Sequence, residues 1–346
     1  MKKFFALALA LIMVLSLVAC GGSKKEETKE ETKEETTETT GAPEYTILFA
    51  SNSSADPENP QNVGCNKFVE LVEERSGGRI DVEYHGQAAL GGAREIVEGV
   101  QLGTIHMGDV ENGPMDSFVP AAAVWNLPYL FTSLEEVHAI QASDIGQNIQ
   151  AGFESVGIKH LAFNDGGFRY FTNSKHVIDD PSDFQGLKIR VMESPIYIGM
   201  VESMGGSAVP MAFAELYTGL QQGTVDGQEN PLSNIVSSCF YEVQKYLSLS
   251  GHIYNTSVFF FSDKFWDSLT ADQQALIIEC SNEAKQVARD INVSNEEAYL
   301  QTCKDAGMEV NEVDKAAFVE AVQPVWDGFL AEYPDMVEVI EIARQY

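Results

Sequence analysis

Positive charge is scarce in this 346-residue chain: 22 Lys and Arg face 52 Asp and Glu, a formal charge of −30. Such a surface repels nucleic-acid phosphates and anionic lipid alike, so neither is an expected partner. An anion could be held only in a local cationic pocket. Cysteine is also sparse. Apart from Cys20, only Cys65, Cys239, Cys280 and Cys303 occur, with no CxxC and no Cys/His pair at zinc spacing. An oxidising compartment would permit disulfides, but four thiols allow three pairings and the spacing does not choose among them; buried free thiols are the simpler expectation. The six histidines (His85, His106, His138, His160, His176 and His252) include no i, i+4 pair. GxSxG, HExxH, Walker A and a GxGxxG after a strand are all missing, so neither an enzyme nor a bound metal or cofactor is expected. A surface-anchored hydrolase has little support.

Only one apolar run is long. Lys2 and Lys3 precede Phe4–Val18, which Ser16 alone interrupts, and Leu17-Val18-Ala19-Cys20 has the form of a lipobox. The run is short for a spanning helix, which needs about 20 residues, so residues 1–19 read as a lipoprotein signal with Cys20 as the diacylated first mature residue. Three tandem KEET units, Lys25–Thr28, Lys29–Thr32 and Lys33–Thr36, follow. Dense charge and low hydrophobicity make residues 20–43 a disordered tether with a reach of roughly 25–30 Å. The expected location is extracytoplasmic, on a lipid anchor at the outer face of the cytoplasmic membrane or in the periplasm.

Beyond the tether the composition is globular, with 44% hydrophobic residues, 19 Phe and 12 Tyr, and long enough for two domains. Tyr45–Ala50 reads as a strand, Ser51–Gln61 as a polar loop, Val63–Glu74 as a helix stopped by Gly77-Gly78, and Arg79–Tyr84 as a second strand. Strand–helix–strand at the start argues for α/β. The segment 95–105, EIVEGVQLGTI, recurs as 215–225, ELYTGLQQGTV, with Glu, Gly, Gln, Gly and Thr identical at a shift of 120. Both copies read as helix, glycine stop and short strand, which implies two similar lobes from a duplication. On that equivalence Glu111 follows its strand (105–110) as Asn230 follows 224–228, each facing the space between lobes. Trp125–Phe131 reads as packing, Leu134–Ala142 and Ile145–Val156 as helices, and Ile158–Asn164 as a strand. Gly166-Gly167 suits a hinge crossing before a strand that carries Arg169. Phe240–Tyr254 would return across the hinge, Val258–Ser262 is an apolar strand, and Thr270-Ala271-Asp272-Gln273 opens a long helix to Asp305. Met308–Val313 is a strand, and Asp314 caps a helix to Phe329.

The most informative stretch is Phe184–Leu232. Leu187-Lys188-Ile189-Arg190-Val191 alternates, so Arg190 points away from the apolar face. Ser194-Pro195 reads as an N-cap with proline at N1, and Phe213, Leu216, Tyr217 and Leu220 share one face of the next helix. Arg190 and Asn230 thus fall near the ends of two strands, where open α/β sheets collect ligand groups. Arg190 could bind an anion or pair with Glu193 or Asp226. Phe168, Phe213 and Tyr217 could line a pocket, but their spacing favours core packing.

GLKIRVMESPIY, PMAFAELYTGLQQGTVDGQENPL and GHIY resemble the solute-binding proteins of tripartite ATP-independent periplasmic (TRAP) transporters, the DctP-like family, and the similarity runs from about Tyr45 to near the C-terminus. The resemblance implies a two-lobed α/β fold of the type II periplasmic-binding-protein kind, with a cleft between lobes, several hinge crossings and a long helix spanning both. Lobe I would be 44–166 plus 256–295, and lobe II 167–255 plus 296–346. The resemblance makes Arg190 the carboxylate anchor, with Arg169 assisting and Asn230 hydrogen-bonding the acid. Glu111 and His252 match polar cleft positions, Glu111 being equally suited to a helix cap or the surface. The loop Ser51–Ser54 departs from the family pattern. The implied function is capture of an organic acid, either a sugar acid or a C4-dicarboxylate, by a monomer that delivers it to small and large membrane subunits. A ligand sensor of the same fold is the alternative.

Overall fold

The structure is a computed structural model that describes residues 42–343. The signal segment, Cys20 and most of the tether lie outside the described residues. Among the described residues no helix is long and apolar enough to cross a membrane.

Two βαβαβ units set the architecture. In the first, β1 (Tyr45–Ser51), α1 (Pro60–Ser76), β2 (Ile80–His85), α2 (Ala93–Leu102) and β3 (Met107–Glu111) place β1 between β2 and β3, all parallel. α1 begins three residues earlier than the sequence suggests, because Pro60 takes the first turn and the Asn59 side chain caps it by accepting from Gln61 N–H. Short 3₁₀ turns at Gly113–Ser117 and Pro120–Asn126 follow, then α3 (Leu134–Ala142) and α4 (Asp144–Ala151). The expected helix over 145–156 finishes as a 3₁₀ turn, Gly152–Val156.

β4 (Ile158–Asn173) is one 16-residue strand. Gly166-Gly167 does not end it; the pair sits at a register irregularity between Asp165 and Gly167. The second unit then runs β5 (Lys188–Val191), α5 (Pro195–Ser203), β6 (Ser207–Pro210), α6 (Phe213–Gln221) and β7 (Gly227–Pro231), with β5 between β6 and β7, all parallel. After α7 (Leu232–Ser237), β8 (Tyr246–Leu249) and β9 (Tyr254–Ser262) return the chain, and α8 (Asp263–Trp266) leads to α9 (Ala271–Asp305). α9 is the expected long helix, 35 residues, and its Thr270/Gln273 capping box is formed in both directions. The chain ends with β10 (Glu309–Glu312), α10 (Lys315–Ala321), α11 (Gln323–Glu332) and a last helix, Val337–Ala343. The single helix expected after Asp314 is broken at Val322, since Pro324 cannot continue a hydrogen-bonded helix.

The sheet order is β2-β1-β3-β9-β4-β7-β5-β6, with β8 beside β4 and β10 beside β8. β4 pairs antiparallel with β9 up to Phe168 and with β7 from Arg169 onward. The strand therefore changes partner between one unit and the other at Arg169.

The 120-residue repeat is exact in structure. β3 and β7 occupy 107–111 and 227–231, and α2 and α6 start at 93 and 213. Gly103 and Gly223 both have left-handed φ, +79° and +69°, and Thr104 and Thr224 N–H donate at 2.9 Å to Gly99 and Gly219 carbonyls. β3 begins two residues later than expected and β7 three, and β7 runs on to Pro231, so Asn230 lies within it, not beyond it. The counterpart of Glu111 is Pro231.

Separate cores fill the units. Ile47, Phe49, Cys65, Phe68, Val72 and Cys280 belong to one, and Leu216, Leu220, Leu232, Ile235, Leu247 and Cys303 to another, with a third cluster running between. Trp125, Leu127, Leu130 and Phe131 are buried in that third cluster, as expected. Cys65, Cys239, Cys280 and Cys303 are free thiols, all buried except Cys239.

Candidate ligand-binding site

Parallel strands in an open α/β sheet direct ligand groups to their carboxyl ends. Four such ends meet here. Asn52 follows β1, Glu111 ends β3, Arg190 is the penultimate residue of β5 and Asn230 that of β7. All four line one cavity of about 90 Å³, with Glu95 from α2, Glu193, Met192 and Met211, and Phe213 at the start of α6.

Arg190 dominates its chemistry. Its side chain is 2% exposed, Nε donates to Met211 O at 2.9 Å, and Nη1 has no partner among the described residues. Neither Glu193 nor Asp226 pairs with it; Asp226 accepts from Lys175 Nζ at 3.1 Å and from Lys188 N–H. The Phe213 ring lies 6.0 Å from the guanidinium carbon, so Phe213 is a cavity wall, against the packing expectation. Burial, only partly offset by Glu229 and Glu111, pulls the Arg190 guanidinium down to about 10. A buried cation with an unpaired N–H and an apolar ring alongside is prepared for an anion with a planar pair of oxygens.

Arg169 and His252 do not line the cavity; they stand behind it. Arg169 is fully buried and forked onto Glu229, Nε to Oε2 at 2.5 Å and Nη2 to Oε1 at 2.9 Å, with Nη1 donating to Asn255 Oδ1 at 2.5 Å and Nη2 to Asn230 Oδ1 at 3.1 Å. Burial would raise Glu229, but Arg169 and His252 together hold it below its ordinary value. Burial likewise keeps His252 below its ordinary value, and Glu229 only partly opposes this. The neutral imidazole then donates from Nε2 to Glu229 Oε2 at 3.2 Å and accepts at Nδ1 from Ser250 Oγ at 2.8 Å. It stacks on Phe171 at 4.1 Å. In this arrangement their hydrogen bonds fix Asn230 and the guanidinium layer behind the cavity, and direct contact of either residue with a ligand stays an expectation.

Glu111 is partly buried, and among the described residues no other residue hydrogen-bonds its side chain. Burial raises its carboxyl above its ordinary value, its own backbone N–H opposes, and the charge of Asp109 adds to the rise. Asn230 donates from Nδ2 to Gln228 Oε1 at 2.5 Å, leaving its oxygen toward Arg169 and Asn234. Asn52 was missed by sequence reasoning. Its Oδ1 is buried without a partner, and the signal that could have found it is its position directly after β1, matching Met192 directly after β5. Ser194 holds the N-cap position of α5 but makes no cap hydrogen bond; its hydroxyl donates to Asp116 Oδ2. Tyr217 lies outside the cavity, its hydroxyl donating to Glu242 Oε2 at 2.8 Å, and Phe168 packs edge-on against Tyr254. Among the described residues no group of His, Cys, Asp and Glu could hold a metal.

Residues 51–332 match the family model of bacterial extracellular solute-binding protein, family 7, DctP. The chain is 34% identical over 278 residues to the C4-dicarboxylate-binding periplasmic protein DctP of Rhodobacter capsulatus, covering 78% of this chain and 83% of that one. Among solved structures, a TRAP periplasmic solute-binding protein of Sulfitobacter sp. NAS-14.1, bound to β-D-galacturonate, is 34% identical with a TM-score of 0.83. It covers 87% of this chain and 100% of that one. A TRAP solute-binding protein of Polaromonas sp. JS666, bound to D-erythronate, is 35% identical with a TM-score of 0.82, covering 86% and 98%. The duplicated units, the cavity at their four strand ends and these matches agree: the chain belongs to the DctP-like family of TRAP transporter solute-binding proteins.

Proposed function

We propose that this chain is the extracytoplasmic receptor of a TRAP-type secondary transporter, held at the membrane by lipid on Cys20, which captures a sugar acid and closes around it. The observation that carries the reading is Arg190: a buried guanidinium whose Nη1 lacks a partner in a cavity walled by both units. The ligand carboxylate would pair with Arg190 and accept from Asn230. Glu111, Glu95 and Asn52 would meet the other end. Two carboxylates there repel a second acid group and accept hydrogen bonds from hydroxyls, which favours a hydroxylated monoacid over a C4-dicarboxylate. The galacturonate and erythronate bound by two similar structures support the same class. As a monomer the closed receptor would dock on the small and large membrane subunits, which release the acid inward.

A thermal-shift screen of the chain from Thr39 onward, which forms one compact unit, tests this with sugar acids, dicarboxylates, keto acids and neutral sugars. A ligand at about 100 times its Kd adds roughly 2.7 kcal/mol. A sugar-acid response that vanishes in Arg190→Ala is the expected result. A response to neutral sugars alone, or one that survives the substitution, refutes the anchor.

A further inference from the structure

One hydrogen-bond cluster, lying beside α9 and outside the cavity, joins the two outer hydrophobic cores. Asn59 caps α1, whose Cys65, Phe68 and Val72 belong to the first core. Asn234 and Ser237 lie on α7, whose Leu232 and Ile235 belong to the second. The Asn59 amide spends both hydrogens across this boundary, Nδ2 to Asn234 Oδ1 at 3.1 Å and to Ser237 Oγ at 2.9 Å. Its oxygen stays within its own unit, accepting from Gln61 N–H at 2.9 Å. Asn59 is 2% and Asn234 8% exposed. From Asn234 the cluster reaches the ligand cavity: Nδ2 donates to Asn230 Oδ1 at 3.4 Å, the oxygen that also accepts from Arg169.

We infer that Asn59, with Asn234 and Ser237, is a latch that fastens the two lobes when the cleft shuts, and that it is tied to the bound acid through Asn230. This rests on the proposed reading of the cavity as a carboxylate site. When the lobes part, all three side chains return to water and lose little. When the lobes are together, removing the donor strands a desolvated Asn234 oxygen, and the cost falls on the closed state alone. A latch of this kind sets how long the ligand stays rather than how fast it arrives.

The test uses the full chain in detergent, with D-galacturonate and D-erythronate as probes. Asn59→Ser keeps an oxygen for the α1 cap but reaches neither Asn234 nor Ser237. Ser237→Ala removes one acceptor. Stopped-flow displacement should show dissociation about tenfold faster in Asn59→Ser, because two hydrogen bonds are lost and only partly replaced by water. Association and the melting midpoint of the ligand-free chain should hardly change. Ser237→Ala should add nothing to Asn59→Ser, because both break the same contact. Unchanged dissociation together with a lower ligand-free midpoint overturns the latch and leaves Asn59 a helix cap; full additivity overturns it as well. If the wild-type chain binds neither acid, the carboxylate reading falls, and the same dissociation comparison is made with whichever compound of the thermal-shift panel does bind; equal rates for wild type and Asn59→Ser then overturn the latch.

Discussion

Replacing Arg190 by methionine should make the empty receptor more stable while destroying its affinity. Methionine keeps the unbranched stem against Phe213 and deletes only the charged fork. Bringing the guanidinium from its ordinary value to about 10 corresponds to roughly 3 kcal/mol held against the charged form. A base lowered by burial carries this penalty in full below its folded value, so at pH 7.5 all of it is present, and it fades only as pH rises beyond about 10. The substitution also strands the Met211 carbonyl, which accepts only from Arg190 Nε, at a cost of about 1–2 kcal/mol. The net expectation is a gain of roughly 1–2 kcal/mol, or a few degrees in melting midpoint for a chain of this size. Affinity should move the other way. Losing a buried, hydrogen-bonded charge pair costs about 2–5 kcal/mol, a factor of roughly 30 to several thousand in Kd. Scanning calorimetry of the ligand-free variant and titration with galacturonate read the two effects separately. A variant that melts lower and still binds refutes both the strain at Arg190 and its role as anchor.

Three further outcomes follow from the same site. Glu111→Gln removes one of the two carboxylates, Glu111 and Glu95, at the end of the cavity away from Arg190, so titration should show succinate gaining affinity by about tenfold relative to galacturonate; an unchanged ratio places the discrimination elsewhere. Asp116, buried beside Ser194 and Asn126, is raised by burial to about 7 although both neighbours donate to it. A raised acid stabilises below its ordinary value and loses that contribution as pH rises through about 7, so Asp116→Asn should stabilise the chain at pH 8 by up to roughly 4 kcal/mol and hardly at all at pH 4. Equal midpoint shifts at both pH values refute this. Gly166→Ala would bring a Cβ to 2.2 Å from Asn255 Nδ2, displacing the amide that holds Arg169 Nη1, and should weaken galacturonate binding several-fold; full affinity shows that Asn255 yields without disturbing Arg169.

Much of this was legible in the sequence because it is local chemistry written twice. The glycine stop and threonine after α2 recur after α6, and the equivalence of the copies needed no tertiary information. Arg190, Asn230 and Glu111 line one cavity, as alternation and strand ends suggest they would. Less was visible where a side chain serves a distant partner. Ser194 has the signature of a cap but gives its hydroxyl to Asp116, 78 residues away, and only the fold brings them together. Arg169 and His252 read as cleft residues on the resemblance alone; that Glu229 stands between them and pairs with both is visible only in the fold. Asn59 and Pro60 looked like loop because prolines mark turns as often as helix starts. Phe213 shares its helix face with core residues, but it sits in the first turn, where that face runs out over the cavity.

The change of partner along β4 bears on how this cleft moves. Its register follows β9 as far as Phe168 and β7 from Arg169, and the irregularity at Asp165–Gly167 lies just before the exchange, so a bend there would leave most of the ladder on either side intact. Opening about such a bend would involve torsion and wetting rather than unzipping of the sheet. Its free energy would then be set by the surfaces that the two walls show to water and by the few side-chain hydrogen bonds between them. Evolution could thus retune the working range of such a receptor by editing wall residues one at a time, leaving the spring that joins them untouched.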